Sequence, residues 1–235
     1  MFLYGRNAVR EALRGRRRVS RVWAVRGAAR EPWLEGVPHT VVEPGRIEEL
    51  CGSPEHQGVC AETEGYPYVG AAELLHREDA LVLCLDQVQD PRNLGAVCRV
   101  AECAGAAGVV IPDRRSAEVT PAAAKASAGA VEHLKVARVG NVADWLIEAK
   151  DQGAWVYGAS AGEVVPYDRP DYRGRVVLVL GSEGRGLWPR VAKVCDELIA
   201  LPIRGRVESL NVSAAAAALV YGILQRRDVQ LDNAS

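Results

Sequence analysis

Two runs of the chain, Leu81-Val82-Leu83-Cys84-Leu85 and Val176-Val177-Leu178-Val179-Leu180, are apolar at every position, with no alternation toward polar residues. Strands of this kind are buried on both faces, as in parallel sheets covered by helices. Around them strand and helix periods alternate: strand 81–85, helix 91–104, strand 108–111, helix near 120–128, strand 134–138, helix 141–151, strand 154–158, strand 176–180, short helix 188–194, strand 197–201 and helix 212–227. The pattern predicts an α/β domain with a parallel sheet over residues 80–235. Residues 1–65 read as a smaller α/β unit: a helix from Asn7 to Leu13, strands Arg21 to Val25 and Thr40 to Val42, a helix near Arg46 to Leu50, and a strand Val59 to Glu62. Gly65-Tyr66-Pro67-Tyr68-Val69-Gly70 then breaks every period, so 66–79 is read as a linker.

Composition alters this picture mainly through its distribution. With 235 residues, 49% hydrophobic and 25% charged, the chain is globular, which excludes a fibre, a small disulfide scaffold and a polar tail. The net charge is −1, yet residues 1–30 hold nine arginines and one acid, Glu11, a local charge of +8. Such a pole suits a polyanion, and Arg6, Arg10, Arg14, Arg17 and Arg18 are expected to meet phosphates. The six cysteines form no CxxC pair and the four histidines are scattered, so reduced buried thiols and no metal are expected. Only five residues precede Arg6, and the longest uncharged tract, Asn211 to Gln225, is too short and too polar at its start to span a bilayer. A soluble cytoplasmic protein without membrane contact is the expectation.

Ligands of open parallel sheets bind beyond the carboxyl ends of the strands. After strand 81–85 no GxGxxG fingerprint follows, which removes the main support for an ordinary dinucleotide enzyme. Instead Asp90-Pro91 starts a helix, with Asp as N-cap and Pro at the first position. One stripe of that helix carries Leu94, Val97, Cys98, Ala101 and Ala104; the opposite stripe carries Arg92, Gly95, Arg99 and Glu102. Gly95 costs the helix roughly 1 kcal/mol, a cost explained by close approach of a ligand or of another backbone. After strand 176–180 comes Gly181-Ser182-Glu183-Gly184-Arg185-Gly186-Leu187, which by itself reads equally as a turn or as a binding loop. The third constellation is Leu201-Pro202-Ile203-Arg204-Gly205-Arg206-Val207-Glu208-Ser209-Leu210-Asn211-Val212-Ser213, where Asn211 is a natural N-cap for the last helix.

Taken in order, Asp90-Pro91-x-Asn93-x-Gly95-x-x-x-Arg99, Leu180-Gly181-Ser182-Glu183-Gly184-x-Gly186-Leu187 and Leu201-Pro202-Ile203…Ser209-Leu210-Asn211-Val212-Ser213 resemble the three motifs of the SpoU class of SPOUT methyltransferases. The resemblance covers about residues 80–230. It implies a parallel sheet whose C-terminal segment threads a deep trefoil knot, a homodimer formed through the catalytic domain, and transfer of a methyl group from S-adenosylmethionine to a ribose 2′-hydroxyl of RNA. The first 65 residues, ending in His56-Gln57-Gly58-Val59, resemble the ribosomal-protein-L30e-like substrate domain of members that modify guanosine in bacterial 23S ribosomal RNA. That favours a ribosomal substrate over tRNA; a non-catalytic RNA-binding protein retaining the knot is the other reading.

By the same resemblance Arg99 is the central catalytic residue, and Gly181, Leu201 and Leu210 contact the methyl donor. A guanidinium with pKa above roughly 12 is a poor base, so Arg99 is expected to clamp a phosphate and stabilise the developing 2′-alkoxide. Asn93, Ser209 and Asn211 are expected to orient the ribose and Arg99, and Glu183 to hold a neighbouring arginine or amide.

Overall fold

The computed structural model describes residues 1–161 and 164–232. The first part contains β1 (Phe2–Tyr4), α1 (Arg6–Arg14), β2 (Val19–Ala24), β3 (Thr40–Val41), α2 (Pro44–Cys51) and β4 (Val59–Thr63). Its four strands lie in the order β1-β4-β2-β3, with β4 antiparallel to both neighbours and β3 parallel to β2. Helix α1 buries Ala8, Val9 and Ala12, one stripe at helical spacing, and leaves its arginines on the polar side. Strand β1 is absent from the sequence-based expectation, since three residues show no period. Tertiary bonds define it instead: it pairs with β4, and the Met1 amino group donates to the Thr63 carbonyl at 2.6 Å.

The second part runs β5 (Leu81–Asp86), α3 (Pro91–Cys103), β6 (Gly108–Pro112), α4 (Pro121–Ala126), β7 (Val136–Val139), α5 (Val142–Asp151), β8 (Trp155–Ala159), β9 (Val165–Pro166), β10 (Val176–Gly181), α6 (Pro189–Val194), β11 (Glu197–Ala200) and α7 (Val212–Asp232). All neighbours in the seven-stranded sheet, ordered β7-β6-β5-β10-β8-β11-β9, are parallel. Alternate residues of the apolar strands serve opposite layers. Leu81, Leu83, Leu85, Leu178 and Leu180 pack with α3, α4 and α7, whereas Val82, Cys84, Val177 and Val179 pack with α5 and α6. Two buried faces explain why these strands are uniformly apolar; each buried leucine or valine contributes about 1.5–3 kcal/mol.

β10 follows β8 in sequence but lies between β5 and β8. Its register with β5 runs from Val176 opposite Leu81 to Gly181 opposite Asp86, so the loops leaving both strands start side by side. Gly95 is buried rather than on a solvated stripe: a Cβ there would lie 2.4 Å from the Ala123 carbonyl oxygen and 2.7 Å from the Ala126 Cβ. The close approach it permits is that of α4's backbone.

Two expectations require correction. Residues 66–79 do not hang free: Val69 bridges to Ala137, a 3-10 turn over Ala71–Leu75 buries Leu74 and Leu75, and the Tyr66 hydroxyl donates to the carbonyls of Leu134 at 2.5 Å and Val131 at 3.1 Å. Apolar side chains in a segment without period still find a core. Arg17 is not available to RNA either, because its side chain is wholly buried and its Nε donates to Glu132 Oε2 at 2.8 Å. Its guanidinium also sits 5.2 Å from the Tyr66 ring centre. The partner lies 115 residues further along, beyond the reach of any local charge count.

Burial pushes the Glu132 carboxyl above its ordinary range, with the Arg17 charge opposing that shift. Removing one member of a buried pair typically costs about 3–5 kcal/mol, so Arg17→Met should lower urea stability at pH 7 by that order. A carboxyl whose folded pKa is raised favours folding most below its unfolded pKa and loses that contribution as pH rises through the folded value. Part of the lost stability should therefore return as the variant is taken toward pH 4, and Arg17→Met combined with Glu132→Leu should recover most of it at pH 7. Urea melts in which the Arg17→Met deficit is independent of pH, or is not recovered in the double variant, would contradict this account.

Candidate active site

Three loops meet at the carboxyl edge of the sheet. After β5, the Asp90 carboxylate accepts the Arg92 backbone N–H at 2.8 Å and Pro91 opens the helix, which places Asn93 in the first turn of α3. After β10 the chain folds back on itself: Ser182 and Gly186 exchange backbone hydrogen bonds of 2.9 and 3.2 Å, with Gly184 at φ 78°. A Cβ on Gly181 would lie 2.2 Å from the Gly186 carbonyl carbon, so no larger residue permits this return, which puts Glu183 at its tip. After β11, an irregular stretch ends at Asn211, whose Oδ1 accepts the Ser213 N–H at 2.9 Å and the Ser213 hydroxyl at 2.6 Å. Asn211 is thus the N-cap of α7.

The three loops are joined by side chains. Asn93 Nδ2 donates to Glu183 Oε1 at 2.9 Å; Asn211 Nδ2 donates to the same oxygen at 2.5 Å and to Asn93 Oδ1 at 3.0 Å. With its Oδ1 committed to the helix cap, Asn211 has both ends of its amide engaged. Glu183 acts as a pure acceptor between two amides and is set up to position groups. No charged partner is within salt-bridge distance of it among the described residues.

Two clefts flank this junction. One of about 440 Å³ is lined by Gly181, Glu183, Leu187, Leu201, Ser209 and Leu210, a mixture of apolar side chains and accessible main chain. The other, of about 290 Å³, is lined by Gln87, Asp90, Asn93, Ser182, Glu183 and Arg185. Glu183 stands in the wall of both. The first has the size and lining of a small-molecule site; the second is smaller and has amides, carboxylates and a guanidinium among its lining side chains.

The structure brings Asn93, Glu183 and Asn211 into one hydrogen-bonded group and puts Gly181, Leu201, Leu210 and Ser209 around one cleft. Arg99 and Ser209 are outside the hydrogen-bonded group: both are exposed, and neither makes a side-chain hydrogen bond among the described residues. The basic pole is more balanced than its local sequence implies. Arg6 pairs with Glu31 at 2.6 Å and Arg10 with Glu11 at 2.7 Å, while Arg14, 61% exposed, reaches Glu11 only at 3.8 Å and Arg18 is exposed. Sequence reasoning also passes over Asp86, the last residue of β5. It is buried, accepts the Trp188 backbone N–H at 2.7 Å, and has its carboxyl pushed above the ordinary range by that burial. An acid closing a wholly apolar strand is the signal that could have marked it.

A parallel sheet with three loops converging on a cleft at its carboxyl edge is the arrangement of an α/β protein that binds a small molecule there. The chain belongs to the SpoU rRNA Methylase family, which it matches over residues 80–221, and residues 2–69 match the RNA 2′-O ribose methyltransferase substrate binding family. It is an RNA methyltransferase of the SpoU/TrmH class. YacO of Bacillus subtilis, whose name places it in the TrmH family of tRNA/rRNA methyltransferases, is 37% identical over 240 residues, covering 97% of this chain and 96% of that protein. The AdoMet-bound rRNA methyltransferase of Sinorhizobium meliloti superposes with a TM-score of 0.80 at 25% identity, over 95% of this chain and 86% of that one. A TrmH/SpoU tRNA-modifying enzyme of A. aeolicus matches with a TM-score of 0.58 at 25% identity, over 67% of this chain and 80% of its own.

Loss of the cap and loss of the junction can be separated at one position. Serine caps helices as well as asparagine does, whereas alanine forgoes about 1 kcal/mol. Asn211→Ala should therefore be about 1 kcal/mol less stable in urea than Asn211→Ser, although both lose the amide bonds to Asn93 and Glu183. Equal stabilities would show that α7 does not depend on this cap.

Proposed function

We propose that this protein methylates a ribose 2′-hydroxyl of 23S ribosomal RNA, at a guanosine, as a cytoplasmic homodimer formed through the domain that begins at residue 80 and whose C-terminal segment is knotted. As a SpoU methylase the chain uses S-adenosylmethionine. The observation that carries the reading is the Asn93–Glu183–Asn211 junction, which ties three motif loops together between two clefts. A ribosomal substrate is supported by the extent of the likenesses: the rRNA enzyme of S. meliloti aligns with 95% of this chain, the tRNA enzyme of A. aeolicus with 67%.

S-adenosylmethionine supplies, when bound, a methyl carbon already activated by its sulfonium. Gly181, Leu201 and Leu210, which line the larger cleft, would hold its nucleoside through main chain and apolar side chains. The chain's remaining task is to align a weak nucleophile and to stabilise the charge that develops on it, and alignment alone is worth several kcal/mol. Asn93 and Asn211, held by Glu183, present a fixed polar edge to the ribose, with Ser209 at the mouth of the donor cleft. The Arg99 guanidinium, exposed and without an ion pair among the described residues, clamps the neighbouring phosphate and stabilises the 2′-alkoxide, while the proton leaves to phosphate or solvent. Arg6, Arg10, Arg14 and Arg18 hold RNA phosphates further out, through contacts that weaken with salt.

The decisive experiment incubates labelled S-adenosylmethionine with ribosomal RNA from cells lacking the protein and maps the alkali-resistant linkage. One labelled guanosine in 23S RNA is the expected result; label in tRNA alone would move the substrate, and binding of RNA without label would leave a non-catalytic protein. Arg99→Lys keeps the charge but not the two-pronged geometry, so turnover should fall about 100-fold, as for loss of one oxyanion donor, with donor affinity by calorimetry unchanged. Near-native turnover would sink the clamp. Gly181→Ala should abolish donor binding by the same calorimetry, because its Cβ displaces the Gly186 backbone.

A further inference from the structure

A third cleft, of about 230 Å³, opens beside the junction and is lined by Gln87, Arg115, Ser182, Arg185 and Trp188. Three of these residues, Gln87, Ser182 and Arg185, also line the cleft that holds Asn93 and Glu183, so the two are continuous. Trp188 is 46% exposed, a large aromatic surface left to solvent at the edge of a site. Its backbone is nonetheless pinned: the N–H donates to the buried Asp86 carboxylate and Pro189 follows it at the start of α6. The Arg115 guanidinium carbon lies 5.7 Å from the ring centre. Neither Arg115 nor Arg185 has an ion-pair partner among the described residues, and no acid lines the cleft. Gln87 at φ 61° and Arg115 at φ 57° both adopt the left-handed backbone conformation that side chains disfavour, and both line this one cleft. Such strain persists where the surrounding structure holds a residue in place, and it gathers at ligand sites.

An exposed indole on a fixed backbone, two unpaired guanidiniums and no carboxylate match one chemistry: a flat base with a phosphate on either side. We infer that Trp188 is a stacking platform for a nucleobase of the RNA next to the target ribose, with Arg115 packing against that base and Arg185 meeting the phosphate between the two nucleotides. The proposal rests on the RNA-methyltransferase reading and adds a second contact point, which fixes the strand's direction across the junction. Stacking is tolerant of base identity, so this contact positions the strand and leaves the choice of target to others.

The full-length protein is titrated with a single-stranded RNA oligomer and with an oligomer of the same length whose sugars carry no bases. Trp188→Ala should weaken binding of the ordinary oligomer about 10-fold and leave the abasic one unchanged, with the same slope of affinity against salt. Trp188→Tyr should restore most of the affinity, Arg115→Ala should weaken the ordinary oligomer and spare the abasic one, and Arg185→Ala should weaken both and reduce the salt slope by about one. Donor affinity by calorimetry and the thermal melt should match the native protein in the Trp188 and Arg115 variants. Unchanged affinity of Trp188→Ala for the base-bearing oligomer would overturn the proposal, as would equal weakening of both oligomers with loss of the dimer in sedimentation, which would assign the ring to contact between copies. These outcomes are read from binding. A native enzyme that leaves ribosomal RNA unlabelled would instead strike the activity, so the two failures are distinguishable.

Discussion

The parallel pairing of β10 with β5 governs the rest of the site. Six consecutive residues are in register, from Val176 opposite Leu81 to Gly181 opposite Asp86, so two segments separated by about ninety residues end at the same level. From that level α3 rises on one side and the glycine-rich return on the other. The hydrogen bonds of the junction are individually small, because Glu183 and Asn211 are exposed, Asn93 is only half-buried, and each such bond is worth only about 0.5–1.5 kcal/mol net. They do not hold the loops together by themselves. The buried strands set the positions, and the amides and Glu183 select among orientations already within reach.

Charge follows a similar division. The first 30 residues are basic by sequence, but Glu31 and Glu11 neutralise part of the surface of α1, and Glu132 draws Arg17 inward. Arg14 and Arg18 stay exposed without a close carboxylate on the outside, and Arg115 and Arg185 line a cleft beside the junction.

Much of the architecture was legible because two-sided burial leaves an unmistakable mark: the uniformly apolar runs at Leu81 and Val176 lie where expected, and the helix starts at Asp90 and Asn211 follow from capping chemistry. Strands β1 and β9, of three and two residues, are too short to show a period. The insertion of β10 between β5 and β8 has no local signature at all. For the site, the motif resemblance named Asn93, Glu183 and Asn211, which hydrogen bonds join, together with Arg99 and Ser209, which lie outside that group. The resemblance carried nothing about Trp188 and Asp86, whose association depends on a loop and a strand end meeting in space. Gly95 was legible as a position of close approach but not as to which neighbour approaches; only the packing of α3 on α4 decides it.

The cap of α7 has a dynamic consequence. Asn211 spends one end of its amide on the first turn of a 21-residue helix and the other on the two remaining loops. Fraying of that turn therefore withdraws one of the two amides from Glu183 Oε1 and leaves the Asn93 bond alone. Local opening at the head of the last helix is thereby felt in the glycine-rich return as a loosened Glu183 side chain, while the return's own backbone bonds between Ser182 and Gly186 persist.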